Sequence, residues 1–557
     1  MGMKVLSIVQ HCMVWKSIVI IYLFLFFLLY KFKFHWKIAF LDLIITALCG
    51  SLLWYGNQLK TYVYLIKYVL LALPTFYTIR FLASHFKRKI KLGIISFWQL
   101  LYLLLPATNF FYCITTTKGL GKDAMFALAQ TNYLEAKEFL LGKPLLTWGM
   151  LCMALVSFFV LYYSNKILDN DNYYYTVKTK QVGIVFLGTF MFLAGYLIRN
   201  VMAHSILYGS YVDSKAFINK IANKEIPQNL QVHWQNPDNQ LGNIVVVIGE
   251  SANRDYFSLY NYKEDTTPWL YSEKGKPNFI WFLNAYTCNK FTSKAVPMVL
   301  SESNQYNGIA INKGADLVDI FHKLGYKVWW ISNQGRNNNL QEGFMPIAMR
   351  ADYRIFVNAN KAVFDIELVH RLPNKVTGKN LFFLHQMGSH GNYNERSPQE
   401  FKKFHFEGIK EHANDLNQYC NSILYTDYIL KNIYAKTKEV LKADVMLYFS
   451  DHGEKPGVPR DRFDFAMTRI PLLIWFSDDY MCKHENTINQ LKLNQHRYFT
   501  NDMLYDTIIG LSGIKTNHYG AKYDLSSSSY EYDKNTILTE YGTIKISEDP
   551  YDAGQKD

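Results

Sequence analysis

Residues 244–251 read IVVVIGES: five consecutive β-branched residues, then Gly249, Glu250 and Ser251. Branched side chains fit a pleated strand, and a run that is apolar at every position, not every second one, predicts a strand covered on both faces. The same signature recurs at Phe279–Phe282, Val328–Ile331, Leu381–Leu384, Val445–Phe449 and Leu472–Phe476. Between these runs lie stretches of helical length, such as 315–325 (ADLVDIFHKLG) and 411–436. Continuous apolar strands separated by helices predict an α/β domain with a mainly parallel sheet and helices on both faces. Ligands of such sheets gather outside the carboxyl ends of the strands.

The chain around this domain has 557 residues, half of them apolar and 16% aromatic, with a mean hydropathy of −0.07. That average joins two unlike parts. Of 59 Lys+Arg and 46 Asp+Glu, 20 and 6 lie in residues 1–200, which leaves 39 and 40 for the remainder. A basic excess confined to the apolar part excludes a nucleic-acid binder with a basic soluble surface, and the apolar content excludes disorder. Stretches at 14–31, 38–56, 61–82, 93–114, 146–164 and 182–199 have the length and composition of membrane spans, which gives five or six. The loops with Lys31, Lys33 and Lys37, with Lys87, Arg88, Lys89 and Lys91, and with Lys166, Lys178 and Lys180 are basic, which assigns them to the cytoplasm. Everything after residue 200 is then extracytoplasmic, in a bacterium periplasmic. Residues 123–141 (DAMFALAQTNYLEAKEFLL) form an amphipathic pattern on that outer side.

The domain organisation expected is a transmembrane helical domain at 1–200, a linker at 201–240, a catalytic α/β domain at 241–523 and a polar C-terminal tail at 524–557, read as a solvated extension. Cys288, Cys420 and Cys482 allow at most one disulfide in the outer part, and no CxxC pattern exists for a zinc ribbon.

Polar residues follow the predicted strands directly. Glu250 follows the first, His385 and His390 lie in LFFLHQMGSHG, and Asp451, His452 and Glu454 lie in VMLYFSDHGE. Carboxylate and imidazole donors with no thiolate suit Zn²⁺, or less well Mn²⁺. A hydroxyl near such an ion becomes a nucleophile, and Thr287, Thr292 and Ser293 are all near Asn289-Lys290-Phe291-Thr292-Ser293-Lys294-Ala295-Val296-Pro297; spacing does not choose among them.

The stretches IVVVIGESANRDYFSLYNYKEDTTP (244–268), KFTSKAVP (290–297), LHQMGSHGNY (384–393), NQYCNSILYTDYIL (417–430) and YFSDHGE (448–454) together resemble the phosphoethanolamine transferases of Gram-negative inner membranes, within the alkaline phosphatase and sulfatase superfamily. LAQTNYLEAKEFL (128–140) resembles the family's outer-face segment. The resemblance implies Thr292 as nucleophile, and Glu250, Thr292, Asp451 and His452 as ligands of one zinc ion. It also implies His390, His385 and Glu454 around the transferred group, phosphatidylethanolamine as donor, and lipopolysaccharide or lipid A as acceptor. The chain departs from the lipid A enzymes in lacking a further histidine downstream of DHGE, where KPGVPRDRFDFAM (455–467) offers Arg460, Arg462 and Asp464, and in having few cysteines. Those departures, with YKVWWISNQGRNNN (326–339), place it nearer the branch that acts on lipopolysaccharide core sugars. Competing expectations are a phosphoglycerol transferase, a glucan phosphoethanolamine transferase and a non-catalytic lipopolysaccharide-binding relative. A sulfatase would need a CxPxR-like context, absent near 288–297.

Overall fold

The computed structural model describes the helices at 88–116 and 144–168, scattered positions between 41 and 87, and residues 206–551 with short gaps at 335–342, 359–362, 407–412 and 459–462. The described residues divide into two compact units, with the boundary between Val212 and Asp213.

In the first unit, helices α1 (Arg88–Thr116) and α2 (Pro144–Leu168) pack on one another. A chain of polar contacts ties the bundle: Asn165 Nδ2 donates to Ser96 Oγ (3.0 Å) and Gln99 Oε1 (2.7 Å), Gln99 Nε2 donates to Asp42 Oδ1 (2.7 Å), and Arg80 pairs with Asp42 (2.8 Å). Phe97, Trp148, Val156 and Ile167 project outward. Apolar outside and hydrogen-bonded inside is the arrangement of helices that meet lipid. Among the described residues, one helical stretch, Leu151–Leu168, is long and apolar enough to cross a membrane. The expected spans 93–114 and 146–164 fall on α1 and α2; the others lie wholly or largely outside the described residues, as does 123–141.

The second unit is built on seven strands: β1 (Asn243–Gly249), β2 (Phe279–Trp281), β3 (Lys327–Ser332), β4 (Tyr353–Phe356), β5 (Asn380–His385), β6 (Val445–Ser450) and β7 (Leu472–Phe476). Their order across the sheet is β2-β7-β6-β1-β5-β3-β4. The five strands from β6 to β4 are mutually parallel, whereas β7 runs antiparallel to β6 and β2 antiparallel to β7. All six apolar runs in the sequence are strands. The seventh, β4 (YRIF), is a half-exposed edge strand whose polar residues hid it.

β1 lies at the centre, with β6 and β5 on either side, and every one of its residues is buried. Ile244, Val246 and Ile248 belong to one core, with Val296, Ile320, Phe321 and Ile508; Val245 and Val247 belong to the other, with Tyr419, Ile423 and Ile433 of helix α5 (Ala413–Lys436). Two dry faces explain why the sequence is apolar throughout and not alternating.

Two stretches differ from the sequence expectation. The region read as a linker carries helix α3 (Ile206–Ala222) and a short strand, Val232–Trp234, paired with Ile514–Thr516. The region read as a solvated tail packs onto the domain, with Leu525, Tyr530, Ile537 and Ile546 buried. Its tyrosines and isoleucines are spaced among serines and acids, which dilutes the apolar signal although the side chains are inside.

Asp506 on helix α6 (Leu504–Leu511) and the nearby Asp524 are buried carboxyls. Asp506 accepts the Gly520 N–H (2.8 Å), and Asp524 accepts the Tyr519 hydroxyl (2.7 Å) and the Ser526 N–H (2.7 Å). Burial dominates over these bonds, pushing Asp506 up to about 8 and Asp524 up to about 7. From the unfolded carboxylate pKa up to these values the folded state holds protons that the unfolded chain has lost, so stability falls as pH rises, by up to about 1.4 kcal/mol per pH unit for each group. Urea midpoints should therefore drop between about pH 5 and pH 7, and the double variant Asp506→Asn/Asp524→Asn should show a shallower drop.

Candidate active site

The register of β1 and β6 sets the site. Gly249 lies opposite Ser450 in parallel strands, so the next residue on each, Glu250 and Asp451, leaves the sheet side by side, with His452 beyond. The Asp451 N–H donates to the Gly249 carbonyl (3.0 Å), extending the pairing by one step. All three side chains are buried, and one ligand atom from each lies within 4.8 Å of the others.

Thr292 completes the group. It is the first residue of helix α4 (Thr292–Val299), and it is half-buried where its three neighbours are enclosed. Its hydroxyl donates to Glu250 Oε2 (3.0 Å) and lies 3.4 Å from His452 Nε2. His452 Nε2 is 3.6 Å from Glu250 Oε1 and 3.4 Å from Asp451 Oδ2. On the far side of the ring, His452 Nδ1 is 2.7 Å from the Gly453 carbonyl, which only accepts, so Nδ1 carries the proton and Nε2 presents its lone pair to the group. An ion bonded at about 2.0–2.2 Å to four tetrahedral ligands sets them roughly 3.3–3.6 Å apart. The three distances from His452 Nε2 lie in that range, and the Thr292–Glu250 hydrogen bond, at 3.0 Å, is shorter. Two carboxylates, an imidazole and a hydroxyl so gathered are a donor set that fits zinc.

The competing hydroxyls are used otherwise. Thr287 Oγ1 donates to the Asp451 carbonyl (2.6 Å), and Ser293 Oγ is buried away from hydrogen-bond partners among the described residues. Thr287 therefore holds the Asp451 backbone, and Thr292 is the hydroxyl that reaches the carboxylate and imidazole.

The remaining expected residues take different places. Glu454 is buried, its carbonyl accepting from Asn253 Nδ2 (3.0 Å) and Oε1 accepting the Lys455 N–H (3.2 Å). His390 is half-buried in the turn after β5, its N–H donating to the Met387 carbonyl. His385 was expected to contact substrate, but its ring is fully enclosed, edge-on to Phe344 (4.6 Å between centroids) and Trp330 (6.1 Å). Burial pushes it down to about 3, so it is a neutral packing group under the site. Arg460 and Arg462 lie outside the described residues, and Asp464 pairs with Lys455. Cys288, Cys420 and Cys482 are all free thiols, so the single disulfide allowed by their number is not formed.

Several supporting residues escaped the sequence reading. Ser251 is held at φ 57°; its hydroxyl donates to Glu250 Oε1 (2.6 Å) and its N–H to Asp451 Oδ1 (3.0 Å). Gln334 Nε2 reaches Glu250 Oε2 (3.4 Å) and the Gln386 carbonyl (2.7 Å). Asn501 Nδ2 donates to the Asp451 carbonyl (2.8 Å). Thr287 and Asn501 follow two three-residue strands, Asn284–Tyr286 and Tyr498–Thr500, paired in parallel with Tyr286 opposite Thr500. The strand-end rule that found Glu250 would have marked Asn501 as well, and Thr287 by position and not only as a candidate hydroxyl, had such short strands been visible. Gly388, at φ 50°, lets the backbone pass close to Glu250: a Cβ there would stand 2.6 Å from the Glu250 carbonyl.

A family profile described as Sulfatase matches residues 242–514, the stretch that holds the sheet and all four central residues. The phosphoethanolamine transferase EptA of Escherichia coli K12 is 28% identical over 304 residues, covering 50% of this chain and 55% of the relative. These matches liken the chain to the phosphoethanolamine transferase family of the sulfatase superfamily.

Within that family, the EptC protein of the same strain is 26% identical over 341 residues, covering 55% of this chain and 58% of the relative. The chain thus spans little more than half the length of these family members, and the similar identities to EptA and EptC leave its branch undivided. Among solved family structures, the C-terminal periplasmic domain of E. coli EptC in complex with Zn matches with a TM-score of 0.53 at 23% identity, covering 59% of this chain and 98% of that one. The integral membrane protein lipooligosaccharide phosphoethanolamine transferase A of Neisseria meningitidis matches with a TM-score of 0.60 at 19% identity, covering 88% of this chain and 97% of that one. These two likenesses are of fold, and the second extends it to the N-terminal helices.

Removing the hydrogen bond from Ser251 to Glu250 should loosen a carboxylate of this candidate metal site without removing any of its donor atoms. Ser251→Gly, which suits the left-handed backbone, is expected to weaken zinc binding about 10–100-fold in competition with a chromophoric chelator.

Proposed function

We propose that this protein transfers phosphoethanolamine from phosphatidylethanolamine to a lipopolysaccharide acceptor, a core sugar or lipid A, through a covalent intermediate on Thr292. The observation that carries this reading is the placement of the Thr292 hydroxyl between Glu250 Oε2 and His452 Nε2 at the start of a helix. Glu250, Thr292, Asp451 and His452 would hold a zinc ion, which would supply Lewis-acid polarisation of a phosphoryl oxygen and favour the ionised form of the hydroxyl.

The residues themselves divide the remaining work. Glu250 Oε2 already accepts the Thr292 proton and is placed to draw it away as Thr292 Oγ1 bonds to phosphorus and the bond from phosphorus to the diacylglycerol oxygen breaks. The departing oxygen takes a proton and leaves as diacylglycerol. An acceptor oxygen then bonds to phosphorus, Thr292 is released, and the acceptor's proton returns to the site. A threonine that takes up the phosphoethanolamine group in one half-reaction and is freed of it in the next predicts ping-pong kinetics. The positive end of the α4 helix dipole favours the negative charge that builds on the phosphoryl group. His390 and Glu454 are assigned to the transferred group, and His385 is a packing residue inside the core.

A lipid donor and a lipid-anchored acceptor account for the apolar N-terminal part. The reading places its helices in a bacterial inner membrane, crossed several times, with the catalytic unit in the periplasm. It needs no nucleic acid.

Lipopolysaccharide from cells expressing wild type should gain a phosphoethanolamine mass on core or lipid A, and Thr292→Ala should reduce that product by about three orders of magnitude or more. Equal product from the two would remove the assignment. A phosphoglycerol-sized adduct instead would keep Thr292 and change the donor.

A further inference from the structure

The end of the chain returns to the nucleophile loop. Residues 538–545 form a hairpin of strands β8 (Leu538–Thr539) and β9 (Ile544–Lys545), with Thr539 opposite Ile544. Its tip holds residues 287–294 at four points. Thr539 Oγ1 donates to the Thr287 carbonyl (2.7 Å), the Tyr541 N–H donates to the Cys288 carbonyl (3.1 Å), Glu540 Oε1 accepts the Lys290 N–H (3.0 Å), and the Tyr541 hydroxyl donates to the Lys294 carbonyl (3.0 Å). The Tyr541 ring also packs on Cys288, Ala295 and Met298. These contacts bracket Thr292 on both sides.

The tip is itself pinned. Gly542 N–H donates to Gln305 Oε1 (2.7 Å), and Gln305 Nε2 donates to the Leu538 carbonyl (3.0 Å). The Gln305 N–H donates to Asp502 (2.8 Å), the neighbour of Asn501, which holds the Asp451 carbonyl. One short network therefore touches both the nucleophile loop and a metal-binding residue.

The backbone at the tip is unfavourable for its own residues. Glu540 lies at φ 50° and Tyr541 at φ 56°, in the left-handed region where a side chain other than glycine is strained. Such conformations persist where surrounding contacts over-determine them, and they cluster at functional sites. Glycine at either position would ease the backbone and forfeit the side-chain contact.

We infer that Glu540 is a positioning residue, which with Tyr541 fixes the 287–294 loop so that Thr292 Oγ1 stays between Glu250 and His452. This rests on Thr292 as the attacking residue. A wholly structural role would tie activity to stability, whereas positioning separates them.

The test uses the detergent-solubilised full chain with phosphatidylethanolamine, reading diacylglycerol release. Glu540→Gly removes the anchor while suiting the backbone, so it should melt no lower than wild type. Its kcat should fall about 10–100-fold, as displacement of a reacting group does, while KM stays within about twofold. Glu540→Gln keeps an acceptor oxygen for the Lys290 N–H and should retain most of kcat. The inference is overturned by wild-type kcat in Glu540→Gly, by loss of kcat only in step with melting temperature, or by equal loss in Glu540→Gln. Thr292→Ala in the same assay separates the two claims. If it turns over, the nucleophile is misassigned; if it is dead while Glu540→Gly is fully active, the positioning role alone fails.

Discussion

The parallel pairing of β1 with β6 governs this site. With Gly249 opposite Ser450, Glu250 and Asp451 emerge together at the carboxyl end of the two central strands. A slip of one residue in that register would turn every side chain of β1 to the other core and separate the two carboxylates. The register is held by the strength of both cores, since Ile244, Val246 and Ile248 fill one and Val245 and Val247 the other. The chemistry thus depends on apolar packing that never touches a substrate.

Placing two carboxylates and an imidazole in a buried corner is costly unless each is hydrogen-bonded or shares a cation. The surrounding chain supplies the bonds. Ser251 serves Glu250 through its hydroxyl and Asp451 through its N–H, while Thr287 and Asn501 hold the Asp451 carbonyl. Ser251 adopts left-handed backbone to do so, and Gly388 is left-handed where only a missing Cβ lets the chain pass Glu250. Left-handed non-glycine backbone occurs at Ser251 beside the site and at Glu540 and Tyr541 at the hairpin tip, as it does at Asn261, Asn392 and Lys442, and the cores on either side of the sheet compensate for it.

What the sequence revealed follows from the same physics. Strands buried on both faces announce themselves as apolar runs, and residues just beyond them are candidates by position, which is how Glu250, Asp451 and His452 were legible. β4 was not, because an edge strand with exposed Tyr353 and Arg354 has no such run. The choice among Thr287, Thr292 and Ser293 depends on side-chain direction within one loop, and spacing carries no record of that. His385 and His390 looked alike after β5, yet one faces a cage of aromatic rings. The C-terminal residues read as solvated because their buried tyrosines and isoleucines are scattered among polar neighbours. Some of their contacts lie 250 residues away in sequence, as between Glu540 and Lys290, beyond the reach of any local pattern.

The central claim is that one hydroxyl of three carries the transferred group. The full chain should be incubated with phosphatidylethanolamine in the absence of acceptor, quenched in acid, digested and its peptides mapped by mass spectrometry. The account predicts phosphoethanolamine on Thr292 and on no other residue of the 287–294 loop. The modification on Thr287 or Ser293, or an unmodified loop while diacylglycerol is released, would contradict it.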